Sequence, residues 1–348
     1  MRELTDVIEA DFRQIVGRVD WGRARRQKIL ITGASGFLGQ YLIGALALAN
    51  RERRLKISIH AVGLSAPKLL LRLLLRQDKN IVYRRRDLTK PFVLGKYDYV
   101  FHAAGYAEPA KFIQDPYRTI ALNVNATKEI LNRSLRPHGT LVFFSAGSIY
   151  GEVPKGMNKI PETYVGGVLP TAPIALYVEA KRLGEALVAD AVRIGRAEGR
   201  ILRISHVYGP GAAPDDSRVM SEFVRHGLAQ SRIKLRDAGQ SVKTYGYIAD
   251  VITMILQAAF SGRELVYNVG GEDTLSIKEL ALRVGRACGA EVILPRTTTR
   301  AAHIGSDLKF MRLDLRKIKK EMKNFKFTPF ESGLAKTIEW FKYIKKQN

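Results

Sequence analysis

The sequence predicts an α/β fold, in which a doubly wound parallel sheet is followed by a smaller C-terminal α/β cap. Apolar, β-branched runs alternate with helical patterns through the first two-thirds of the 348 residues. Strands separated by helices form a parallel sheet that is covered on both faces. The alternation ends after Tyr208, where Gly209-Pro210-Gly211 and Pro214 interrupt it. Apolar residues make up 46% of the chain, which is enough for a sizeable core.

Each predicted element follows from its own pattern. Short runs rich in Ile, Val, Tyr and Phe predict strands, and apolar residues spaced three or four apart predict helices. The predicted strands are Lys28–Thr32, Lys56–Val62, Asn80–Tyr83, Tyr97–Ala103, Thr140–Ser145 and Arg200–Ser205. The predicted helices are Phe37–Asn50, Pro67–Gln77, Pro116–Arg133 and Ala175–Arg196.

The chain divides into three predicted parts. Residues 1–27 form an N-terminal helical extension, residues 28–206 the main domain, and residues 207–348 most of the cap, from which some segments return to the sheet. Apolar residues recur at helical spacing between residues 6 and 20, which predicts an amphipathic helix. We expect this helix to pack on the main domain; contact with a membrane surface is the alternative.

Composition restricts the class of protein. Lys and Arg number 57 against 33 Asp and Glu, a net charge of +24, which favours anionic partners such as nucleotides, nucleic acid or an anionic membrane. The single cysteine, Cys288, excludes an internal disulfide framework and fits a reducing compartment. The longest apolar stretch, Leu69–Leu75, is interrupted by Arg72 and falls short of the roughly 18 residues of a membrane span. We therefore expect a cytoplasmic protein with no transmembrane segment.

A glycine-rich turn follows the first predicted strand and opens the next helix. At such a strand–turn–helix junction, backbone N–H groups and the helix dipole meet a pyrophosphate. The turn, spaced GxxGxxG, therefore predicts a dinucleotide-binding (Rossmann) domain. Its expected cofactor contacts are Gly33, Ser35, Gly36, Phe37, Leu38 and Gly39.

The adenosine-ribose end of this predicted site lacks the usual carboxylate. Dinucleotide sites often place an acidic residue after the second strand, on the ribose, but the stretch from His60 to Ser65 has none. Ser65 and Lys68 are candidates for contact with a 2′-phosphate instead, although Lys68, Arg72 and Arg76 also fit an ordinary solvated helix face. We expect NAD as the cofactor, with NADP left open.

Tyr177 and Lys181 are four residues apart in a predicted helix, so their side chains share one face. A phenol normally titrates at about pH 10, and a neighbouring ammonium and a cationic nicotinamide ring both favour the phenolate. Tyr177 is therefore the candidate proton acceptor during hydride transfer from a carbinol, with Lys181 as its partner.

With these motifs the sequence resembles the extended short-chain dehydrogenase/reductases, specifically the NAD-dependent epimerase/dehydratase family that acts on nucleotide sugars. Further matching motifs are Asp87-Leu88, His102-Ala103-Ala104, Asn123, Phe144-Ser145…Ile149-Tyr150-Gly151, Arg203…Tyr208-Gly209-Pro210-Gly211, Tyr247-Ile248-Ala249-Asp250 and Tyr267-Asn268-Val269-Gly270. The resemblance implies a nucleotide-diphosphate sugar as substrate, and a homodimer formed through the helix that bears Tyr177 and the helix before it. It also implies cofactor contacts from Asp87, Leu88, Ala103, Ala104 and Asn123.

The predicted active-site strand departs from the family pattern. Ala146 stands where family members carry a Ser or Thr that bonds the reacting sugar oxygen. Ser145 is our preferred substitute and the third catalytic candidate, while Ser148 is the alternative and a candidate substrate contact. Dehydratases and decarboxylases of the family carry a carboxyl in the next two positions, where this chain has Gly147 and Ser148. Dehydration and decarboxylation by the usual route therefore lose support.

Three further residues are candidate substrate contacts. His206 stands where many family members have an Asn on the diphosphate, and Lys243 where they commonly have an Arg. Arg218 is a candidate for binding a phosphate or a uronate. A neutral packing histidine and an ordinary surface arginine are the structural alternatives for His206 and Arg218.

Together these residues favour a nucleotide-sugar epimerase-type oxidoreductase, which transiently oxidises sugar C4 through a bound nicotinamide cofactor. The alternatives within the family are an NADPH-dependent 4-keto-sugar reductase and a dehydratase or decarboxylase. A non-catalytic nucleotide-sugar-binding or RNA-binding Rossmann protein is the alternative outside enzymes. Aromatic residues are not interleaved with the basic runs, as stacking on RNA bases would require, so we expect no nucleic-acid partner. We also expect no metal site.

Overall fold

The computed structural model describes residues 2–295 and 309–347. Its strands are β1 (Lys28–Thr32), β2 (Ser58–Gly63), β3 (Ile81–Arg85), β4 (Tyr97–His102), β5 (Leu135–Ala146), β6 (Glu198–Ile204), β7 (His206–Tyr208), β8 (Arg232–Lys234), β9 (Val242–Tyr247), β10 (Val266–Val269), β11 (Asp273–Ser276), β12 (Glu291–Ile293) and β13 (Phe310–Met311). Its α-helices are α1 (Arg2–Arg18), α2 (Phe37–Glu52), α3 (Leu69–Gln77), α4 (Pro109–Gln114), α5 (Pro116–Ile120), α6 (Ala126–Arg133), α7 (Ala175–Arg193), α8 (Val219–Gln230), α9 (Ile248–Ser261), α10 (Ile277–Cys288), α11 (Arg316–Lys320) and α12 (Phe330–Gln347).

The main sheet has seven strands in the order β10-β6-β5-β4-β1-β2-β3, and all its pairings are parallel. The predicted doubly wound parallel sheet is thus confirmed. Successive side chains of a strand point to opposite faces, and Ile29 and Ile31 accordingly lie in one apolar cluster while Leu30 lies in the other. The strand order reverses between β1 and β4, and the crevice above such a switch point is where open α/β sheets bind ligands.

The predicted elements of the main sheet are all present, with different ends. Strand β5 begins at Leu135, five residues before the predicted start. The predicted helix over 116–133 is divided into α5, a π-helical segment (Ala121–Asn125) and α6. π-Helical segments inside longer helices occur frequently at functional sites, and this one contains Asn123.

The N-terminal helix α1 packs on α2, α9 and α12, as expected from its apolar spacing. Phe12 contacts the Tyr41 ring edge-on at 5.1 Å. The buried carboxylate of Asp11 accepts hydrogen bonds from the phenols of Tyr41 at 2.7 Å and Tyr247 at 2.5 Å, and from Lys336 Nζ at 2.6 Å. This carboxylate therefore joins α1 to both the main sheet's helices and the cap.

The cap is built on a second, smaller sheet. Strand β9 pairs with β7, β11 and β13, and β8 pairs with β12 in a separate two-stranded sheet. Between these segments the chain returns to the main sheet through α9 and β10. In the part of the chain described, no helix is both long enough and apolar enough to cross a membrane.

Candidate active site

The glycine turn after β1 touches the loop that follows β4. Gly33 has a φ of 68°, and a Cβ atom added there would lie 2.5 Å from the Ala103 carbonyl oxygen and 2.7 Å from the Ala104 nitrogen. Only glycine fits this position, because a side chain would clash and the positive φ would be strained. The two loops are therefore close-packed at the carboxyl ends of β1 and β4.

A cavity of about 770 Å³ opens above this turn. The predicted cofactor-binding residues that line it are Gly33, Ser35, Gly36, Phe37, Leu38, Gly39, Ser65, Asp87, Leu88, Ala103 and Ala104. Its volume lies within the range of small-molecule sites. These residues come from the four loops that follow β1, β2, β3 and β4, and the sheet places all four loops along one crevice.

The residues of this cavity fit a dinucleotide. The backbone of the glycine turn offers N–H groups at the start of α2, the usual place for a pyrophosphate.

Asn123 lies deeper, where its Nδ2 donates to the Thr119 carbonyl oxygen at 2.8 Å and its Oδ1 is buried without a hydrogen-bond partner among the described residues. A Cβ atom added at Gly105 would lie 3.5 Å from that Oδ1 and 3.6 Å from Lys181 Nζ. Asn123 Oδ1 and Lys181 Nζ thus border the same space, next to the reacting end of the cavity.

A second cavity, of about 390 Å³, adjoins the first and contains the catalytic candidates. The predicted residues that line it are Ser145, Ser148, Tyr177, Lys181, His206, Arg218 and Lys243. Leu38, Ala103 and Arg218 line both cavities. A ligand in the first cavity would therefore meet a ligand in the second beside Tyr177 and Lys181.

The Tyr177 ring is buried, with 7% of its surface exposed, and stacks on Phe112 with the ring centroids 4.2 Å apart. Burial raises the pKa of the Tyr177 phenol, and the neighbouring Ser148 hydroxyl partly opposes this rise. Ser148 Oγ is itself buried and has no hydrogen-bond partner within 3.5 Å among the described residues. It is thus a hydroxyl that faces the phenol and is still able to bond a third group.

Lys181 is held from the carboxyl end of β5. Its Nζ donates to the Phe144 carbonyl oxygen at 2.5 Å and lies 5.2 Å from the centre of the Phe143 ring. Burial lowers the pKa of Lys181 to about 7, and the carboxylate of Glu185, one helical turn further along α7, acts in the opposite direction. Glu185 therefore helps to keep the ammonium charged at neutral pH.

Ser145 belongs to a buried polar network. Its Oγ donates to Glu185 Oε1 at 2.5 Å, and the Arg203 guanidinium binds both oxygens of Glu185, the shortest distance being 2.8 Å. Arg203 also donates to the Tyr150 phenol at 3.0 Å. The Ser145 hydroxyl hydrogen is thus directed at Glu185, whereas the Ser148 hydroxyl faces Tyr177.

The three candidate substrate contacts line one part of the second cavity. The pKa of His206 is lowered to about 3 by burial and by the charges of Lys243 and Arg218, so the ring is neutral at physiological pH, and its Nδ1 has no partner among the described residues. Burial lowers the pKa of Lys243 to about 8. Arg218 binds Asp216 through Nε and Nη2, at 3.0 and 2.6 Å, and lies over the Phe37 ring.

Several site residues were not found by sequence reasoning. Glu185 is four residues after Lys181, so helical spacing is a signal that would have placed it on the catalytic face. Phe112 had no such signal, since it comes from the short helix α4. Lys234 and Arg236 also line the second cavity, and they come from the irregular cap, where only their charge marks them.

The fold and these two cavities define a dinucleotide-dependent oxidoreductase of the short-chain type. The family model described as "NAD dependent epimerase/dehydratase family" matches residues 29–270, so the chain belongs to the NAD dependent epimerase/dehydratase family. The family resemblance drawn from the motifs is thus confirmed, and NAD is the cofactor of the family.

Individual relatives are distant. A UDP-glucuronic acid decarboxylase from Xenopus tropicalis is 25% identical over 355 residues, which cover 98% of this chain and 79% of the relative. A solved variant of the UDP-glucuronic acid 4-epimerase from Bacillus cereus, in complex with UDP-4-deoxy-4-fluoro-glucuronic acid and NAD, has a TM-score of 0.76 at 20% identity and covers 91% of this chain and 99% of its own. The UDP-glucose 4-epimerase of Thermotoga maritima, solved with UDP-glucose, has a TM-score of 0.74 at 22% identity, with the same coverage. At these identities, the two structures establish likeness of fold.

Proposed function

We propose that the protein is a nucleotide-sugar 4-epimerase-type enzyme. One observation carries the proposal: Tyr177 and Lys181 of α7 lie where the two cavities adjoin. The turn after β5 that lines the second cavity beside them contributes Gly147 and Ser148 and no carboxylate. Epimerisation at C4 needs only hydride and proton transfer. Removal of a C5 proton, as in a dehydratase, needs a further acid or base that these two positions do not supply.

The chain's own groups would divide the proton chemistry as follows. Tyr177 Oη accepts the proton of the C4 hydroxyl and returns it at the end of the cycle. Lys181, fixed by the Phe144 carbonyl, supplies a positive charge that favours the phenolate. The glycine turn Gly33–Gly39 and the loop after β4 would hold NAD, which would supply a reversible hydride acceptor for C4 and a positive charge that further favours the phenolate. Turning the 4-keto sugar between the two transfers would invert C4.

Ser148 is the hydroxyl that we propose to bond the reacting C4 oxygen. Its Oγ faces Tyr177 and has no competing partner within 3.5 Å among the described residues, whereas the hydroxyl hydrogen of Ser145 is directed at Glu185. Ser145, preferred on sequence grounds, then acts as a positioning residue through Glu185. Which of the two serines bonds the substrate stays a prediction.

The polar end of the second cavity is proposed to bind the nucleotide diphosphate. Lys243, Arg218 and the more exposed Lys234 and Arg236 supply positive charge there, and neutral His206 offers Nδ1 to a sugar hydroxyl or phosphate. Names of the relatives point to a uridine nucleotide. Cation–phosphate hydrogen bonds are among the stronger polar contacts, so this end would anchor the substrate while the sugar turns.

A second candidate, a 4-keto-sugar reductase, is favoured by one observation. No carboxylate follows β2, where an NAD site usually has one, so a phosphorylated cofactor used as a co-substrate fits that end. A reductase consumes one reduced cofactor per turnover, whereas an epimerase regenerates its cofactor within each cycle.

The decisive experiment incubates purified protein with UDP-glucose, UDP-N-acetylglucosamine and UDP-glucuronic acid, each with and without added NAD. We expect a 4-epimer of at least one sugar, formed without net change in NADH absorbance. Formation of a UDP-pentose with release of CO₂ would identify a decarboxylase and contradict the proposal. A parallel incubation contains a nucleotide 4-keto sugar and NADPH; turnover only in that mixture, with stoichiometric loss of NADPH, would identify the reductase.

Two further proposals concern assembly and compartment. Helix α7 packs beside α5 and α6, and Tyr117, Leu176 and Leu183 on these helices are exposed by 82%, 51% and 50%. Such an apolar face suits a second copy of the chain, so we propose a homodimer. Other apolar residues of the same helices, such as Ile130 and Val188, are buried within one chain.

We also propose that the protein is located in the cytoplasm. Its single cysteine, Cys288, is a free thiol in the structure, which is in keeping with that location.

A further inference from the structure

The adenosine end of the first cavity is shaped by a glycine at the end of β2. Gly63 stands at the strand end where dinucleotide sites usually carry the acidic residue that bonds the ribose hydroxyls. A Cβ atom added at Gly63 would collide with the Tyr83 hydroxyl and would lie 2.9 Å from Ser35 Oγ. A carboxylate at this position would require the Tyr83 and Ser35 hydroxyls to shift.

Two serine hydroxyls line this end in place of a carboxylate. Ser65 Oγ donates to Ser35 Oγ at 3.3 Å, and the Tyr83 phenol donates to the Ser65 carbonyl oxygen at 2.5 Å. Tyr83 thereby fixes the backbone on which the Ser65 side chain stands. Both hydroxyls retain lone pairs and a rotatable hydrogen for a further acceptor.

Two cations border the same end. Lys68 and Arg86 both line the cavity and are exposed, and neither forms an ion pair within the described ranges 2–295 and 309–347. The backbone nitrogen of Arg86 donates to the Gly63 carbonyl oxygen at 3.0 Å, which holds Arg86 against the end of β2.

Asp87, the carboxylate that follows Arg86 in the sequence, already has hydrogen-bond and ion-pair partners. Asp87 accepts from the Thr89 nitrogen at 3.0 Å and from Arg118 Nη2 at 2.8 Å, and Arg118 itself lines the cavity. Of the other carboxylates that line the cavity, Glu108 pairs with Lys111 and Asp216 with Arg218, and Asp115 accepts from the Arg118 backbone nitrogen. Lys68 and Arg86 therefore stand at the end of β2 with the neighbouring Asp87 already neutralised by Arg118.

From this juxtaposition we infer that Ser35, Ser65, Lys68 and Arg86 form a binding site for a 2′-phosphate, so that the protein binds NADP more tightly than NAD. The inference rests on the proposed function, because it takes the first cavity as the nicotinamide cofactor site. A phosphate carries a charge of about −1.5 to −2 and three acceptor oxygens. The two serine hydroxyls and the two cations supply matching donors, whereas the free ribose hydroxyls of NAD would find no carboxylate to accept from them.

The test is the dissociation constant of NADP⁺ and of NAD⁺, measured by isothermal titration calorimetry on protein freed of bound nucleotide. We expect wild-type protein to bind NADP⁺ about fivefold or more tightly than NAD⁺, since an exposed ion pair contributes up to about fivefold. Lys68→Ala and Arg86→Ala should each weaken NADP⁺ several-fold and leave NAD⁺ unchanged. Ser65→Asp should reverse the preference by placing a carboxylate beside the ribose.

Arg72→Ala is the matched control. Arg72 lies one turn beyond Lys68 on α3, is exposed and does not line the cavity, so its loss changes the net charge equally and should leave both dissociation constants unchanged. Tighter binding of NAD⁺ than NADP⁺ by wild-type protein overturns the inference but leaves the proposed function intact. Binding of neither nucleotide overturns the proposed function as well.

Discussion

Tyr177 is the residue on which the proposed chemistry depends most directly. Tyr177→Phe removes the phenol and preserves the ring that stacks on Phe112. Loss of a positioned acid–base group lowers turnover by a factor of about 100 or more, so we expect that loss in steady-state kinetics on the identified substrate. Cofactor binding should persist, because the glycine turn is unchanged. Near-normal turnover would remove Tyr177 from its role as proton acceptor.

The two serines at the end of β5 give a second prediction at this scale. If Ser148 bonds the reacting oxygen, Ser148→Ala should lower kcat about tenfold or more with little change in KM, since the bond strengthens in the transition state. Ser145→Ala should instead act through Glu185, so its effect on kcat should shift with pH as Lys181 titrates. The opposite result, a silent Ser148→Ala and a pH-independent loss in Ser145→Ala, would return the substrate contact to Ser145.

Restoring the family residue offers a check on both serines. Ala146→Ser places a hydroxyl on the same strand end and should rescue the deficient serine variant at least in part. If the double variant, which combines Ala146→Ser with the deficient serine variant, is no more active than that single variant, the strand end contributes no hydrogen bond to the reacting oxygen.

At the scale of residues, motif spacing identified the glycine turn that lines the first cavity and the Tyr177–Lys181 pair that lines the second. Tyr177 and Lys181 were predictable because a helix brings residues four apart onto one face. Which of Ser145 and Ser148 contacts the substrate could not be predicted, because it depends on which of the two hydroxyls bonds Glu185. Glu185 is linked to Arg203, 18 residues further along on β6, and no local pattern predicts such a pairing.

Among the elements, α7 and the helices beside it carry the assembly prediction. Leu183→Arg places a charge at one of the exposed apolar residues of α7, where desolvating it in an interface would be costly. We expect wild-type protein to be a dimer and Leu183→Arg to shift towards the monomer mass in light scattering at micromolar concentration.

Leu282→Arg is the control for that experiment. Leu282 is exposed by 45% on α10, in the cap and away from α7, so this variant should remain dimeric. A monomeric wild type, or equal dissociation of the two variants, would contradict the proposed interface.

The order of elements in the main sheet was predictable wherever a strand and a helix alternate. Strand β10 was not predicted as a strand, because its four residues follow an interruption of some sixty residues and lack a flanking βαβ pattern. The π-helical segment was also missed, since the sequence there keeps ordinary helical spacing and nothing in it marks a change in backbone hydrogen bonding.

For the whole molecule, His102 links stability to pH. The ring is 1% exposed, with Nδ1 2.7 Å from Thr32 Oγ1 and Nε2 3.0 Å from the Leu122 carbonyl oxygen. Burial lowers the pKa of His102 from 6.5 to about 4. Between these values the unfolded chain binds more protons, so stability falls as pH falls from about 6.5 towards 4. We expect this group to cost about 2 kcal/mol of unfolding free energy between pH 7 and pH 5.

Urea unfolding at both pH values measures that cost. His102→Gln should have a shallower pH dependence than wild type, whereas the exposed His138→Asn should match wild type. Asp250, whose pKa burial raises to about 6, acts in the opposite direction but is common to all three proteins. If His102→Gln fails to fold, an NMR titration of His102 in wild type decides, and a pKa near 6.5 would contradict the prediction.

The late return of β10 to the main sheet has a consequence for synthesis. Strand β6 can pair with β5 as soon as both leave the ribosome, but β10, which pairs with its other edge, follows some sixty residues later. At about 5–20 residues per second, that edge stays open for about 3–12 s. Unpaired edges recruit other strands, so nascent chains on one polysome are most exposed to mutual association during this interval, before the cap has been translated in full.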